Sequence, residues 1–216
     1  MDKEFWHRKW EEREIGFHAP KPNELLVRYF AEVAPAGRVF LPLCGKTLDI
    51  HWLLAQGYSV AGAELNENAV RELFEELGVE PMVSGTGNLL CYSAGQAGER
   101  GRIDIFVGDI FELSPEQLGP VDAVYDRAAL VALPESMRNE YATHILALAP
   151  GAPQLLITFE YDQQLMAGPP FSIGPGEVER LYSPSHNLNL AERRLLPGGL
   201  KSTRAVDELA WILRPR

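Results

Sequence analysis

The sequence predicts an α/β protein: a doubly wound, mostly parallel sheet with an antiparallel edge and an N-terminal arm. Residues 38–64, RVFLPLCGKTLDIHWLLAQGYSVAGAE, read as strand, glycine turn, helix and strand. The alternation of strand and helix as far as Gly78 is the pattern of a mainly parallel sheet covered by helices, and residues 79–102 are less regular. The last two runs, NLNLAERRLL and VDELAWIL, instead alternate apolar and polar residues, which suits antiparallel strands at one sheet edge.

Residues 1–22 form the arm. Phe5, Trp6, Trp10, Ile15 and Phe17 are too many large apolar groups for a free tail. Trp6 and Trp10 stand four apart and share a face if helical. The arm either packs on the core, the role expected of Trp6, or closes over a ligand with an aromatic wall from Trp10 or Phe17. Pro20 and Pro22 end it. Asn23 can cap a helix carrying Leu25, Leu26, Tyr29, Phe30 and Val33. Val39 to Leu41 then reads as a buried strand, Leu48 to Leu54 as a helix stopped near Gly57, and Tyr58 to Ala63 as a second strand ending at Glu64.

In such a sheet the carboxyl ends of adjacent strands form a ligand crevice. An acidic residue roughly 20 positions beyond the glycine turn can accept hydrogen bonds from both hydroxyls of a ribose. Glu64 stands there, unless it is merely solvated. The dinucleotide fingerprint has three glycines so that backbone can approach a pyrophosphate; here Gly45 stands alone after Pro42, Leu43 and Cys44. Gly45-Lys46-Thr47 fails as a phosphate loop, because Phe40 occupies the place of the earlier glycine. The loop suits a ligand with a ribose but no phosphate, of which S-adenosylmethionine is the common example. The sulfonium of such a ligand gains roughly 0.5–2 kcal/mol against an indole face.

Farther along, Asn66 caps a helix over 67–77 that Gly78 closes. Met82-Val83 and Leu89 to Tyr92 read as short strands, and SAGQAGERGR (93–102) as an exposed glycine-rich insertion. Ile103 to Val107 is a strand followed by Asp109 and Ile110, which can meet an adenine amino group; Asp109 serves equally well as a turn or cap residue. Val121 to Tyr125 is a strand ending at Asp126-Arg127. That pair either bonds to itself at the surface or faces the crevice, where Arg127 can steer an anionic substrate. A helix from Pro134 to Ala149, a strand over 155–159, a loop centred on Pro169, Pro170 and Phe171, and a short helix from about Gly176 follow. Loops at this end of a sheet commonly carry the substrate wall, and Phe171 is the aromatic contact expected there.

The 216 residues fit one domain. Hydrophobic content of 46% and charged content of 23% are ordinary for a globular protein. The opening MDKEFWHRKWEERE lacks the apolar segment of a signal peptide, and two cysteines, Cys44 and Cys91, show no metal-ligand spacing, so cytoplasmic residence without a metal or a structural disulfide is expected. A net charge of −10 argues against nucleic acid, leaving a small molecule as the partner of a protein expected to be a monomer.

FLPLCGKTLDIHWLLAQGYSVAGAEL, VYDRAALVALPESMR and the GPPF loop resemble the thiopurine S-methyltransferase family, and FWHRKWEEREIGFH is similar to the opening of its bacterial members. The resemblance implies a Rossmann-like class I methyltransferase fold with a seven-stranded sheet, and transfer of a methyl group from S-adenosylmethionine to a thiolate of a small aromatic or heterocyclic substrate. It also implies that Trp10, Leu43, Glu64 and Arg127 contact the cofactor, that Asp109-Ile110 lies beside the adenine, and that Phe17 helps the arm close the site. Arg127 takes a supporting electrostatic role. Selenium or tellurium oxyanions are a second class of acceptor, implying detoxification and tellurite resistance. Two segments depart from the family's pattern: the 93–102 insertion, and Pro197 to Lys201 with Arg204 beyond, where the family carries a substrate-side arginine. A nicotinamide-dependent oxidoreductase and a non-catalytic cofactor-binding regulator are the alternatives on this fold; the missing glycines argue against the first.

Overall fold

A computed structural model describes residues 3–14, 19–96, 98–200, 203 and 205–216. Among them, nine strands form one sheet: β1 Arg38–Pro42, β2 Ser59–Glu64, β3 Met82–Thr86, β4 Leu89–Ala94, β5 Ile103–Val107, β6 Ala123–Arg127, β7 Gln154–Glu160, β8 His186–Leu195 and β9 Asp207–Pro215. Their order is β3-β4-β5-β2-β1-β6-β7-β9-β8. The central strands β5-β2-β1-β6-β7 are parallel. The four outer strands join them antiparallel. Leaving out the β3–β4 hairpin, seven strands remain, with β9 inserted antiparallel between β7 and β8.

The helices are α1 Lys3–Glu11, α2 Glu24–Val33, α3 Leu48–Ala55, α4 Glu67–Leu77, α5 Pro115–Leu118, α6 Glu135–Leu148 and α7 Pro175–Tyr182. Their boundaries follow the side chains that satisfy their terminal N–H groups. Asn23 accepts from Leu25 N at 2.8 Å and Leu26 N at 3.3 Å. Thr47 caps α3, Asn66 caps α4, and Gly78, at φ 68°, ends α4 in the left-handed conformation that a Cβ disfavours. The parallel strands are buried on both faces, so alternate residues serve two cores. Leu41, Val60 and Ile105 pack with Leu26, Leu53 and Phe74 of α2, α3 and α4. Phe40, Ala61 and Phe106 pack with Tyr141, Ile145 and Tyr182 of α6 and α7.

The two final strands lie antiparallel at one margin of the sheet, as expected, but β9 does not show the half-exposed alternation read in VDELAWIL: it stands between β7 and β8 and is buried from Glu208 to Leu213. The polar residue that made the run look alternating, Glu208, is buried against Arg194 of β8, with Arg194 Nη2 2.7 Å from Glu208 Oε2. An ion pair between neighbouring strands thus produces the appearance of amphipathicity.

Candidate active site

The carboxyl ends of β2, β1, β6 and β7 open into a cavity of about 750 Å³, within the range of small-ligand sites. Its floor is the turn after β1. Leu43 adopts φ 47° and Gly45 φ 54°; for a residue with a side chain this costs roughly 1–2 kcal/mol and needs surrounding support. The support is β2. Cys44 N donates to Ala63 O at 3.0 Å and Gly45 N to Glu64 Oε2 at 2.8 Å. Cys44 also lies flat on Gly62, where a Cβ would stand 2.8 Å from Cys44 Sγ and 2.7 Å from Ile105 Cδ1.

Glu64 Oε1 accepts from Asn66 N at 2.8 Å. The carboxylate therefore meets only neutral backbone N–H groups, those of Gly45, Asn66 and Leu65, and of its roughly four acceptor sites one stays open. Burial pushes the Glu64 carboxyl above its ordinary range, and the Asn66 and Gly45 N–H groups oppose this only in part. At the tip of β6, Arg127 reaches the cavity wall while Asp126 turns into the core, accepting from Leu130 N at 3.1 Å and Tyr141 Oη at 2.8 Å. Burial raises Asp126 to about 6 despite these donors. Asp126 and Arg127 thus do not form the surface pair considered from sequence; they serve opposite sides of one turn.

Helix α1 contributes Phe5, Trp6, Lys9 and Trp10 to the cavity. The Phe5 and Trp6 rings meet edge-on at 5.3 Å, and Lys9 is paired with Glu14. The helix is tied to the β2–α4 junction through His7 Nδ1, 3.4 Å from Asn66 Nδ2. Opposite Glu64, the cavity is lined by Phe159, Pro169, Pro170, Leu196, Pro197, Leu200 and Glu208.

One cavity therefore gathers Trp10, Leu43, Glu64 and Arg127. Asp109 and Ile110 lie just beyond β5 and do not line it: Asp109 accepts from Phe111 N at 3.1 Å, and Ile110 is a core residue. They are nonetheless adjacent to Glu64, because Gly108 N donates to Glu64 O at 2.9 Å. Phe171 lines a separate recess with Arg138, whose guanidinium lies 5.7 Å from its ring. Its prolines, not Phe171, face the main cavity. Phe17 and Arg204 lie outside the described residues. Phe159, Leu196 and Glu208 were missed as site residues; the one local signal was the Asp207-Glu208 pair that precedes the apolar run Leu209 to Leu213.

Residues 1–208 match the thiopurine S-methyltransferase (TPMT) family. The chain belongs to that family. It is 52% identical over 216 residues to the thiopurine S-methyltransferase of Xanthobacter autotrophicus, covering 99% of each chain. It is 50% identical over 214 residues to that of Teredinibacter turnerae, covering 99% of this chain and 97% of the relative. In fold it is similar to a Burkholderia thailandensis 1,6-didemethyltoxoflavin-N1-methyltransferase solved with S-adenosylhomocysteine, with TM-score 0.68 and 16% identity, covering 99% of this chain and 86% of the other. This TPMT-family chain is an S-adenosylmethionine-dependent methyltransferase, and family membership replaces the nicotinamide and regulator alternatives.

Proposed function

We propose that this enzyme moves the methyl group of S-adenosylmethionine to the thiolate of a small aromatic or heterocyclic thiol such as a thiopurine. The observation that carries the reading is the contrast across the cavity: a carboxylate with spare acceptor capacity beside Leu43 on one side, an aromatic and proline wall on the other. The turn fits an adenosine that carries no phosphate, because Cys44 and Gly45 direct their N–H groups inward to Ala63 and Glu64 and form no outward nest for an anion. Glu64 would accept from the ribose hydroxyls, with Leu43 and Trp10 packed on the donor. Asp109 and the Ile110 backbone would serve the adenine from their place beside Glu64.

When bound, the donor supplies an electrophilic methyl group and a neutral thioether leaving group. The chain's own work is alignment and shielding. Trp10 would hold the sulfonium, α1 and the Pro169–Pro170 loop would exclude water, and Arg127 would place a positive charge near the incoming thiolate. Aromatic thiols ionise near neutral pH, so no strong general base is required. Holding sulfur and methyl in line can supply roughly 7–11 kcal/mol. Oxyanions of selenium or tellurium are the second acceptor class, but they carry no ring to bury on the wall of Phe159 and the prolines, which favours the aromatic thiolate. A small-molecule acceptor without nucleic acid agrees with the net charge of −10. Among the described residues no helix is long and apolar enough to cross a membrane. We read the protein as a cytoplasmic monomer.

Labelled-methyl transfer to thiophenol, 2-mercaptobenzimidazole, selenite and tellurite tests this. Transfer to the thiols is expected; transfer to the oxyanions alone would overturn the acceptor assignment.

A further inference from the structure

Glu208 is a cavity residue whose chemistry the transfer reaction leaves unused. It is 3% exposed and begins the buried part of a strand that continues as Leu209, Ala210, Trp211, Ile212 and Leu213. Its two oxygens are not equivalent. Oε2 takes both Arg194 Nε at 3.0 Å and Arg194 Nη2 at 2.7 Å. Oε1 takes a longer hydrogen bond from Asn23 Nδ2, 3.3 Å, and a carboxylate oxygen can accept two. A buried ion pair is by itself weak evidence for stability, and apolar replacements often serve as well. The side chain, moreover, lines the cavity, next in register to Phe159 of the aromatic wall.

Its place in the sheet gives it a partner. From β6, which carries Arg127, to β9 is two strand steps, about 10 Å at the usual spacing. Arg127 and Glu208 therefore flank the cavity end of β7, which carries Phe159. An acceptor held there meets a cation at one end and a hydrogen-bond acceptor at the other. We propose that Glu208 determines acceptor specificity by receiving a hydrogen bond from a ring N–H, selecting heterocyclic thiols that carry one over carbocyclic aromatic thiols, and disfavouring acceptors with a second anionic group. The inference rests on the thiol-methyl-transfer reading above. It has a physical basis in the cost of an unmatched polar group: a buried acceptor desolvated by a ligand with no donor loses its hydrogen bond outright, so sites built around polar groups reject apolar analogues strongly.

The test is steady-state methylation of 2-mercaptobenzimidazole, thiophenol and 2-mercaptobenzoate by the wild type and by Glu208→Gln, with S-adenosylhomocysteine binding measured on both. In Glu208→Gln the two Arg194 donors claim the amide oxygen and the NH2 group takes the place of Oε1, a donor where an acceptor stood, so the kcat/KM ratio of 2-mercaptobenzimidazole to thiophenol is expected to fall at least tenfold and that of 2-mercaptobenzoate to thiophenol to rise severalfold. Equal changes on all three acceptors, with S-adenosylhomocysteine binding intact, would overturn the inference and reduce Glu208 to a structural partner of Arg194. Should Glu208→Gln lose S-adenosylhomocysteine binding, Glu208→Asp is read in its place, since it keeps a charge for Arg194 while withdrawing the carboxylate by one methylene; the same ratio changes support the inference and equal losses overturn it. A wild type that methylates none of these thiols overturns the acceptor reading itself, and the inference with it.

Discussion

The two ends of the parallel sheet bury carboxylates and treat them in opposite ways. At the amino end, Asp104 of β5 accepts from Arg38 Nη2 at 3.0 Å, Arg102 Nε at 2.9 Å and Ser93 Oγ at 2.8 Å. Burial alone would raise its pKa, yet the hydrogen bonds from Arg102 and Ser93 and the charge of Arg38 outweigh it and hold the carboxyl below its ordinary value. At the carboxyl end, Glu64 and Asp126 are just as buried but meet N–H and O–H donors without a charge, and burial wins: both are raised. Where the fold only has to close, the chain supplies its own cations. Where the cavity opens, Glu64 keeps no cationic partner in the contacts that hold it, and the natural complement of such a group is a ligand rich in donors and positive charge.

The largest expected effect breaks the closed end. Asp104→Asn should destabilise the fold by about 3–4 kcal/mol near neutral pH, in the lower part of the range for breaking a buried ion pair because Arg38 and Arg102 reach water, while leaving S-adenosylhomocysteine affinity unchanged. A depressed native pKa contributes stability that is present above the unfolded value and lost as pH falls through the native one, so the difference should shrink on acidification. Chemical denaturation across pH, with calorimetry for the ligand, checks both parts.

Asp126 should behave with the reverse sign. Its pKa rises from 3.8 unfolded to about 6 in the fold, so the stability favouring the protonated native state is full below pH 3.8 and lost as pH climbs through 6. At 1.36 kcal/mol per unit this is about 3 kcal/mol. Asp126→Asn should gain on the wild type by up to about that amount between pH 4 and pH 7.5, as read by denaturation at the two pH values. The same slope in both variants would dissolve the contrast between the sheet's ends.

Next comes the receiving end itself. Glu64→Ala should weaken S-adenosylhomocysteine binding about 100-fold, or roughly 2.7 kcal/mol, because it removes the acceptor for the ribose hydroxyls and releases Gly45 N and Asn66 N together. Isothermal calorimetry at neutral pH measures it; unchanged affinity would place the ribose elsewhere.

Much of this contrast was legible before the structure, and for a physical reason. β1, β2, the caps Asn23 and Asn66, and the place of Glu64 at a strand end are set by contacts near in sequence, such as the 19-residue separation between Gly45 N and Glu64 Oε2. What was hidden depends on sheet order. The interior place of β9 and the arrival of Phe159, Leu196 and Glu208 on one wall follow from β9 inserting between β7 and β8. No local period reports that, and the Arg194–Glu208 pair disguised it by making a buried strand look half-exposed. The Phe171 position illustrates the same limit within a single loop: Pro169 and Pro170 turn to the cavity while the next ring stacks on Arg138 behind it.

The smallest expected effect asks whether the receiving end is held by packing as well as by hydrogen bonds. Gly62 lies within β2, and a methyl group there would stand 2.7 Å from Ile105 Cδ1 and 2.8 Å from Cys44 Sγ. The Ile105 methyl is the far end of a flexible side chain and can rotate aside. Cys44 has less freedom, because its own N–H is tied to Ala63 and that of the next residue to Glu64. Gly62→Ala should therefore cost about 1–2 kcal/mol by overpacking and push the Leu43–Gly45 turn outward, weakening S-adenosylhomocysteine binding severalfold. The matching substitution in the β3 hairpin, Gly85→Ala, meets nothing within 4 Å and should change neither quantity appreciably. If Gly62→Ala lowers stability but leaves affinity at the Gly85→Ala level, the turn keeps its geometry through the Glu64 hydrogen bonds alone, and the packing of Cys44 on β2 belongs to the core and not to the site.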